Sequence, residues 1–246
     1  MKTLPKIFKP KFDFDVIRLG TDFDGGYLVE KSSVINSKFL FSFGISTNWD
    51  FEKDFIKINN NKFLAYDGSV SDQFWNYQII NKIKRLSFNK ALKLFIQKKE
   101  FYKFFNDKNF ISKYIGKSID NSATFTEVIH KNSLNDLFFK IDIEGYEYEI
   151  LDEILFFQNR IIGLCIEFHS CNFNINKIIS FIQSFSLELI HIHANNYKDP
   201  IVGQYPDIIE LTFAKNPKPI GEFKGLPHKL DMPNKSKSKD ITLSFD

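Results

Sequence analysis

The chain has 246 residues, 43% hydrophobic and 26% charged, which is the balance of a globular protein large enough for one substantial α/β domain. Its 33 basic and 30 acidic residues nearly cancel, which argues against nucleic-acid binding through a concentrated basic face. Two cysteines exclude a disulfide framework, no apolar run reaches the about 20 residues of a membrane span, and the N-terminus lacks the apolar stretch of a signal peptide. We therefore expect a cytoplasmic protein.

The first 37 residues are predicted to be a lead-in that packs on the core. They contain Asp24-Gly25-Gly26-Tyr27, a turn signal at the start of a short strand-like run. One interpretation is a plain hairpin. The other is a loop whose glycines let the backbone approach a ligand closely. The sequence leaves both open.

Next, a strand–turn–helix unit is predicted around Gly44. The buried strand 38–43 enters a turn at Gly44, followed by an acidic helix start. Only one glycine is present, so this is not the Gly-x-Gly-x-x-Gly dinucleotide fingerprint. A second apolar run, 62–66, ends at Asp67, which follows Gly44 by 23 positions. An acid about 20 residues beyond such a turn accepts hydrogen bonds from ribose hydroxyls, although an ordinary Asp-Gly turn is the alternative.

Residues 71–110 are predicted to be a helical insertion. Apolar positions recur from Gln73 to Arg85 and from Asn89 to Phe105, with lysines between them. The pair Lys98-Lys99 lies beside several aromatic residues and could contact a glycan, a phosphate or a membrane surface. Such a helix more commonly packs its aromatic side chains inward and leaves its lysines in water. A short strand near 111–115 and a further helix are expected before residue 137.

The stretch 138–151 is the centre of the predicted sheet. An apolar run ends in Asp142 and Glu144 and resumes, after Gly145, as an acidic helix. A buried parallel strand delivers polar groups to the sheet edge in this way, and ligands of open α/β sheets bind there. Carboxylates that merely favour a helix N-terminus are the alternative. We interpret Glu147 and Glu149 in that second, structural sense.

Three more strands are predicted after this stretch. The first, 160–169, carries Glu167 and His169 at its end, and a helix at 175–185 leads to the second, 187–193. That strand ends in His193, followed by Asn195 and Asn196. The third is 207–213. A Pro- and Lys-rich extension covers 216–246, with a possible edge strand at 241–245.

Several of these segments, in the same order, resemble the FkbM-like family of S-adenosylmethionine-dependent methyltransferases. The most specific is Lys140-Ile141-Asp142-Ile143-Glu144-Gly145, and residues 230–234 also resemble one branch of the family. The other matching segments are Asp24–Tyr27, Ser42–Ile45 with Phe51-Glu52, Glu167–His169, His191–Asn196, and Pro206-Asp207 with Glu210–Thr212. The Lys/Phe-rich region 85–120 departs from this pattern and is expected to determine acceptor specificity.

The resemblance implies a Rossmann-like class I methyltransferase fold, a mostly parallel seven-stranded sheet with helices on both faces, over residues 38–215. It also implies S-adenosylmethionine as cofactor. The expected reaction is O-methylation of a sugar hydroxyl, on a nucleotide-linked sugar or on a surface glycan of the capsule or lipopolysaccharide type. The expected partner is this acceptor alone, with no nucleic acid and no membrane span.

Site roles follow from the resemblance together with the strand ends. Cofactor binding is assigned to the Phe43-Gly44-Ile45 turn around the methionine part, to Asp67 on the ribose, and to Asp24, Gly25, Gly26 and Tyr27. His169 is the first choice for the base that removes the acceptor's proton, since imidazole titrates near neutral pH. The other catalytic candidates are Asp142, Glu167 and His193, and acceptor contacts are assigned to Glu144, Asn195 and Asn196.

Two further questions stay open at this stage. Asp142, Glu167 and His169 could bind a divalent cation, but no tight zinc-like spacing exists and the metal-free base is favoured. The rival functions are a nicotinamide-dependent oxidoreductase, which the missing glycines disfavour, and a non-catalytic glycan-binding protein. Binding of S-adenosylmethionine, but not of NAD, would distinguish the methyltransferase from both.

Overall fold

A computed structural model describes residues 2–197 and 203–246. Seven strands form the central sheet: β5 (Phe39–Phe43), β6 (Lys62–Tyr66), β7 (Phe110–Ile111), β10 (Leu137–Ile141), β11 (Ile161–Phe168), β12 (Glu188–Asn195) and β13 (Ile208–Ala214). The helices are α1 (Lys31–Asn36), α2 (Asp50–Asn59), α3 (Asp72–Lys84), α4 (Phe88–Phe104), α5 (Phe125–His130), α6 (Glu147–Phe156) and α7 (Cys171–Ser184). Short strands complete the fold: β1 (Lys2–Leu4), β2 (Phe12–Phe14), β3 (Val16–Leu19), β4 (Tyr27–Glu30), β8 (Tyr114–Ile115), β9 (Ser122–Ala123), β14 (Pro219–Glu222) and β15 (Leu243–Phe245).

The strand order in the central sheet is β12-β13-β11-β10-β5-β6-β7, and only β13 runs antiparallel to its neighbours. This is the mixed, mostly parallel seven-stranded sheet of the predicted Rossmann-like methyltransferase fold. The chain winds outward from β5 in one direction and from β10 in the other. The order therefore reverses between β5 and β10, which is where open α/β sheets place their ligands.

One face of the sheet is apolar and forms the largest core cluster. Phe41 and Phe139 stack at 5.2 Å between ring centroids, and Ile150 of α6 and Phe181 of α7 belong to the same cluster. The parallel strands read as continuous apolar runs because both of their faces are covered. This packing explains why those runs could be recognised as strands.

The opposite face lies under a β-hairpin and combines a second apolar cluster, which includes Leu40 and Phe138, with polar residues such as Thr212. Strands β3 and β4 pair antiparallel, and the hydroxyl of Thr212 in β13 donates to the carbonyl of Leu28 at 2.7 Å. The hairpin interpretation of the Asp-Gly-Gly segment is therefore confirmed. The loop of this hairpin lies at the carboxyl end of the sheet, where Asp24 and Gly25 line a cavity. The loop interpretation therefore stays a prediction.

Three expectations about minor elements need correction. The strand expected near 111–115 is two strands, β7 and β8, in different sheets, because Lys113 N–H bonds back to Ile111 O at 2.8 Å and turns the chain. The final strand, β15, pairs with β1 rather than with the central sheet. The lead-in, predicted without defined elements apart from the possible hairpin, contains β1 to β4 and α1.

Within residues 2–197 and 203–246, no helix is both long enough and apolar enough to cross a membrane.

Candidate active site

A cavity of about 340 Å³ lies at the carboxyl ends of β5, β6 and β10. Its wall includes Gly44 and Ile45 after β5, Asp67 after β6, and Asp142 and Glu144 after β10. The structure thus brings together residues that lie about 100 positions apart in the sequence. The size is within the range of small-molecule sites, about 300–1,000 Å³.

Gly44, which follows β5, lies against the backbone of Asp142, which follows β10. Its φ is +78°, and a Cβ at this position would lie 1.6 Å from the carbonyl oxygen of Asp142. Its N–H donates to Tyr66 O at 2.9 Å, and Asp142 N–H donates to Phe43 O at 3.0 Å. Glycine is required here by backbone contact as well as by conformation.

Asp67 is fully engaged by the turn it faces. Its Oδ2 accepts from the N–H groups of Ile45 at 2.8 Å and Ser46 at 2.7 Å, and its Oδ1 accepts from the N–H and hydroxyl of Ser69. These four bonds occupy the about four acceptor sites of a carboxylate. Asp67 lines the cavity as predicted, and its ribose role remains a prediction. The bonds themselves fix the Gly44–Ser46 turn.

Glu52 is a cavity residue that the sequence reasoning did not assign to the site. It is 1% exposed, Ser42 donates to its Oε1, and its Oε2 has no hydrogen-bond partner. Burial raises its pKa, against the opposing charge of Lys140. A buried, unpartnered carboxylate oxygen at a cavity wall suits a cationic ammonium, which the methionine part of S-adenosylmethionine carries. The signal was its place in the first turn of the helix after the glycine turn.

The cavity wall also includes apolar side chains. Tyr66, Tyr114 and Ile115 are among them, and the Tyr114 ring packs so closely on Gly68 that a Cβ there would lie 2.3 Å from the ring. Aromatic rings and an aliphatic side chain suit a planar base. We call the Gly44–Ser46 turn, Glu52, Asp67 and these three side chains the cofactor half of the site.

The segment Asp24–Tyr27 divides between two places. Asp24 and Gly25 line the cavity, whereas Gly26 packs on Thr21 O and the Arg18 guanidinium. Tyr27 lies outside the cavity wall. Its hydroxyl is 3.1 Å from Asp142 Oδ2 and 3.3 Å from Glu167 Oε2.

Beyond the cavity, acidic side chains surround His169. Its Nε2 lies 3.4 Å from Glu167, 3.5 Å from Glu144 and 4.0 Å from Asp142. Its Nδ1 is 3.0 Å from Glu147 Oε1, which also accepts from the N–H groups of Ile143 and Gly145. We call Asp142, Glu144, Glu147, Glu167 and His169 the acid half of the site. Glu147 is therefore more than a helix cap, since it orients His169.

This crowding changes how the acid half titrates. Burial, reinforced by the charge of Asp142, raises the pKa of Glu167 to about 8. Burial disfavours the imidazolium of His169, but the carboxylates of Glu147 and Glu167 outweigh it and raise its pKa to about 11. At neutral pH His169 thus carries a proton, and Glu167 titrates close to neutrality.

Strand register explains why these residues meet. Ile141 pairs with Phe43 and Ile166, so Asp142 and Glu167 are each one residue further along neighbouring strands. Glu167 pairs with Glu210, and Glu210 pairs with His193. Residues in register share one face of a sheet. The carboxyl edge therefore carries a row of titratable side chains on the face that the β-hairpin covers.

His193 is predicted to be catalytic, and the structure gives it two carboxylate partners. Its Nδ1 is 3.0 Å from Glu210 and its Nε2 is 3.1 Å from Asp240. Burial opposes the charged form, but Glu210 and Asp240 raise its pKa well above the usual value. Both ring nitrogens of His193 have a carboxylate partner, so this arrangement favours a structural role, in which His193 links β13 to the C-terminal extension.

The two asparagines predicted to contact the acceptor also differ. Asn195 Nδ2 lies 3.4 Å from Glu167 Oε1, at the edge of the acid half. Asn196 instead holds the C-terminal extension, since its Nδ2 donates to Lys239 O at 3.0 Å and its Oδ1 accepts from Lys235 N–H at 2.7 Å. Their acceptor roles remain predictions.

The C-terminal extension is built into the site. Asn234 Nδ2 donates to Glu210 at 2.7 Å and lies 3.4 Å from Asp24, and Asp231 lies 2.9 Å from Nε2 of His191. The sequence reasoning did not assign Asn234, Glu210 or Asp240 to the site. The available signals were the family resemblance of residues 230–234 for Asn234 and that of Glu210–Thr212 for Glu210, whereas Asp240 had none.

A cation could also fit in the acid half. Ligand atoms of Asp142, Glu144 and His169 lie within 4.8 Å of one another, and carboxylate and imidazole are common metal ligands. Glu144 replaces Glu167 of the predicted set in this grouping. The metal remains a prediction that was not favoured.

Comparison with known families gives one match. The methyltransferase FkbM domain matches residues 86–198, which confirms the resemblance carried by the sequence motifs. The match includes 86–120, so the expectation that this region departs from the family pattern is wrong. No curated protein matches the chain.

Solved structures that resemble the chain are distant. The METTL16 methyltransferase domain is 10% identical, with 75% of this chain and 64% of that chain covered, at a TM-score of 0.39. An rRNA methylase from Streptococcus thermophilus is 9% identical, with 75% of this chain and 93% of that chain covered, at a TM-score of 0.39. Precorrin-6y C5,15-methyltransferase from Geobacter metallireducens GS-15 is 12% identical, with 75% of this chain and 85% of that chain covered, at a TM-score of 0.36. Likenesses this distant carry no inference about the acceptor.

Proposed function

We propose that the chain, whose residues 86–198 match the methyltransferase FkbM domain, is an S-adenosylmethionine-dependent methyltransferase that methylates a sugar hydroxyl. The acceptor is a nucleotide-linked sugar or a surface glycan of the capsule or lipopolysaccharide type. The observation that supports an O-methyltransferase best is the junction of two half-sites. A cavity with an unpartnered buried carboxylate at Glu52 adjoins a cluster whose Glu167 titrates near neutral pH.

The cofactor half would hold S-adenosylmethionine, which supplies a methyl group bound to a sulfonium. Glu52 would accept from its ammonium, the turn at Gly44 would face the methionine part, and Tyr114 would lie against the base. Asp67 keeps the turn in shape through its bonds to Ile45 and Ser46. These residues bind and position the cofactor, and positioning of the reactants can lower the activation barrier by up to about 7–11 kcal/mol.

The acid half handles the proton of the acceptor hydroxyl. A neutral sugar hydroxyl is a poor nucleophile, so a base must take its proton as the carbon–oxygen bond forms. With a pKa of about 8, Glu167 is matched to that task near neutral pH. His169, held protonated by Glu147 and Glu167, then stabilises the developing negative charge on oxygen.

This assignment differs from the first choice made from the sequence, which gave the base role to His169. The reason is electrostatic, because an imidazole among several carboxylates binds its proton too tightly to act as a base. His169 remains in the catalytic group. His169→Ala should remove most turnover while S-adenosylhomocysteine still binds, and near-normal rates would exclude it.

A divalent cation on Asp142, Glu144 and His169 is the alternative to a proton on His169. Activity measured after exhaustive chelation distinguishes the two. Full activity without metal supports the protonated imidazole. Loss of activity that Mg²⁺ or Mn²⁺ restores supports the cation.

The proposed function is tested with S-adenosylmethionine labelled in its methyl group. The protein is incubated with a panel of nucleotide sugars and with delipidated capsule or lipopolysaccharide polysaccharides, and the products are analysed by mass spectrometry and NMR. We expect a methyl ether on one sugar hydroxyl. Transfer to nitrogen or carbon, or to none of these acceptors but to RNA, would contradict the proposal.

A further inference from the structure

The two helices α3 and α4, with the turn between them, carry an unusual number of exposed apolar side chains. Of the eighteen large hydrophobic residues exposed in the described part of the chain, nine lie in residues 72–104. They are Tyr77, Ile80, Ile83, Leu86, Phe88, Leu92, Phe95, Ile96 and Tyr102. Leu86 and Phe88, at the turn, are 77% and 61% exposed. We call residues 72–104 the helical hairpin.

The helical hairpin is also the basic part of the chain. It contains eight Lys and Arg residues against two acidic ones, a net charge of +6, whereas the whole chain has +3. The remaining residues therefore have a net charge of −3. The near-neutral total conceals a strongly cationic segment.

Folding does not require this exposed surface. The core contacts of the hairpin come from its other side, where Trp75, Ala91 and Phe101 are buried and Trp75 packs on Phe101 at 5.7 Å. On α4, the exposed positions Phe88, Leu92, Phe95, Lys99 and Tyr102 follow a spacing of four and three residues. That spacing places them on one helix face. The expectation that this helix packs its aromatics inward holds only for the opposite face.

A groove between the two helices combines both properties. It is lined by Ile79, Phe95 and Tyr102 and by Lys98, Lys99 and Lys103. Lys98 pairs with Asp72 at 2.6 Å, and the Lys99 ammonium lies 4.6 Å from the Phe95 ring centroid. Ammonium groups beside aromatic rings provide attraction for a phosphate and an apolar surface for the chain attached to it.

We propose that the helical hairpin docks on the surface of a bilayer that contains anionic phospholipids. Exposed Phe, Leu and Ile would enter the boundary between headgroups and acyl chains, while the lysines contact anionic headgroups. A nucleic acid would match the charge but leave the apolar side chains without a partner. A second copy of the same face would bring two +6 segments together, which like-charge repulsion opposes.

The surface is connected to the candidate site. Gln97 of α4 donates to Thr47 O at 2.6 Å, and Trp49 packs on Phe101 at 5.5 Å between ring centroids. Thr47 itself lines the cofactor cavity. Docking would therefore hold the site beside the membrane surface, although the proposal stands independently of the acceptor.

The test is co-sedimentation of the full chain with vesicles of phosphatidylcholine alone and of phosphatidylcholine with phosphatidylglycerol. We expect binding to the anionic vesicles only, weakened by salt. Lys99→Glu with Lys103→Glu should lower binding at least about tenfold, because each lysine near an anionic surface contributes to the attraction. The matched control is Lys38→Glu with Lys62→Glu, which changes the same charge at exposed lysines outside the hairpin.

The apolar contribution is tested by Phe88→Ser with Leu92→Ser. Both side chains are exposed, so circular dichroism and the melting temperature should be unchanged while vesicle binding falls. Absence of binding to anionic vesicles by the wild-type chain would overturn the proposal. An equal loss of vesicle binding in the Lys38/Lys62 control would also overturn it. So would a dimer of the wild-type chain that becomes a monomer in the Phe88/Leu92 variant.

Discussion

Asp67 and Glu167 are both buried carboxylates at the carboxyl edge of one sheet, but their surroundings differ. Asp67, in the cofactor half, accepts four hydrogen bonds from the loop groups of Ile45, Ser46 and Ser69. Glu167, in the acid half, faces the carboxylate of Asp142 and has partners at 3.3–3.4 Å, in Tyr27, Asn195 and His169. The carboxylate of Asp67 has its hydrogen bonds satisfied, whereas that of Glu167 is repelled by the nearby charge of Asp142.

The difference separates two tasks. Hydrogen-bonded geometry in the cofactor half fixes a shape, which is what binding a cofactor needs. Burial and the charge of Asp142 in the acid half move the pKa of Glu167 toward neutrality, which is what proton transfer needs. Substitutions in the first half should change affinity, and substitutions in the second should change turnover.

The largest effect is expected for Glu167→Gln, which removes the base but keeps the shape. We expect turnover to fall about 10²–10⁴-fold, the range for loss of a general base, with S-adenosylhomocysteine affinity unchanged. Methyl-transfer rates and calorimetry measure the two quantities. Glu188→Gln, at a carboxylate that pairs with surface Lys11, is the matched control.

The same residue sets a pH dependence. A carboxyl group with a pKa of about 8 is protonated below that pH and can accept a proton only above it. Turnover of the wild-type protein should therefore rise as pH increases through about 8. A rate that falls over this range, or a rise that persists in Glu167→Gln, would assign the base elsewhere.

In the cofactor half, Gly44→Ala should have the largest effect. The new Cβ would overlap Asp142 O at a backbone φ of +78°, so the turn must shift. A displacement of this kind costs about 10²-fold, here in S-adenosylhomocysteine affinity. Gly221→Ala is the control, since its Cβ meets nothing within 4 Å. Wild-type affinity in Gly44→Ala would show that the cofactor does not contact this turn.

A smaller effect is expected for Glu52→Gln. The substitution keeps the bond to Ser42 possible but removes the charge that would face the cofactor ammonium. Hydrogen bonds to charged groups contribute about 1.5–3 kcal/mol, so affinity should fall about 10- to 150-fold while turnover at saturation changes little. Asp50→Asn, an exposed carboxylate on the same helix, should change neither. A change in turnover alone would place Glu52 outside the cofactor half.

The smallest effect concerns stability. His193 is held by Glu210 and Asp240, which raise its folded-state pKa. Its contribution is complete below the unfolded pKa of about 6.5 and is lost as pH rises through the folded value. His193→Gln should lower the free energy of unfolding by about 1–3 kcal/mol at neutral pH, and the difference should narrow at alkaline pH. Exposed His130→Gln is the control. A difference in the free energy of unfolding that widens as pH rises would contradict a stabilising role for protonated His193.

Much of the cofactor half could be predicted from the sequence because it is local. The glycine turn after β5 and the acid at the end of β6 follow from apolar runs, a glycine and an acid at the expected spacing. Glu52 was missed because a Glu in the first turn of a helix is usually exposed. Its burial depends on Ser42 in the neighbouring strand.

The acid half depends on register, which apolar runs do not specify. Glu210 and His193 meet Glu167 only because β13 inserts antiparallel between β11 and β12. Asp240 and Asn234 reach the same edge from an extension that has little regular structure. Burial and the charge of Asp142 raise the pKa of Glu167, and Glu147 and Glu167 raise that of His169, so the base role shifted from His169 to Glu167.

The proposed methyl transfer depends on binding of S-adenosylmethionine in the cavity around Gly44 and Glu52. Calorimetry with S-adenosylmethionine, S-adenosylhomocysteine and NAD, on the wild-type chain and on Glu52→Gln, measures this binding. We expect one-to-one binding of the first two ligands, weakened by Glu52→Gln, and no binding of NAD. Binding of NAD, or binding of S-adenosylmethionine that is unchanged in Glu52→Gln, would show that the cavity is not the cofactor site.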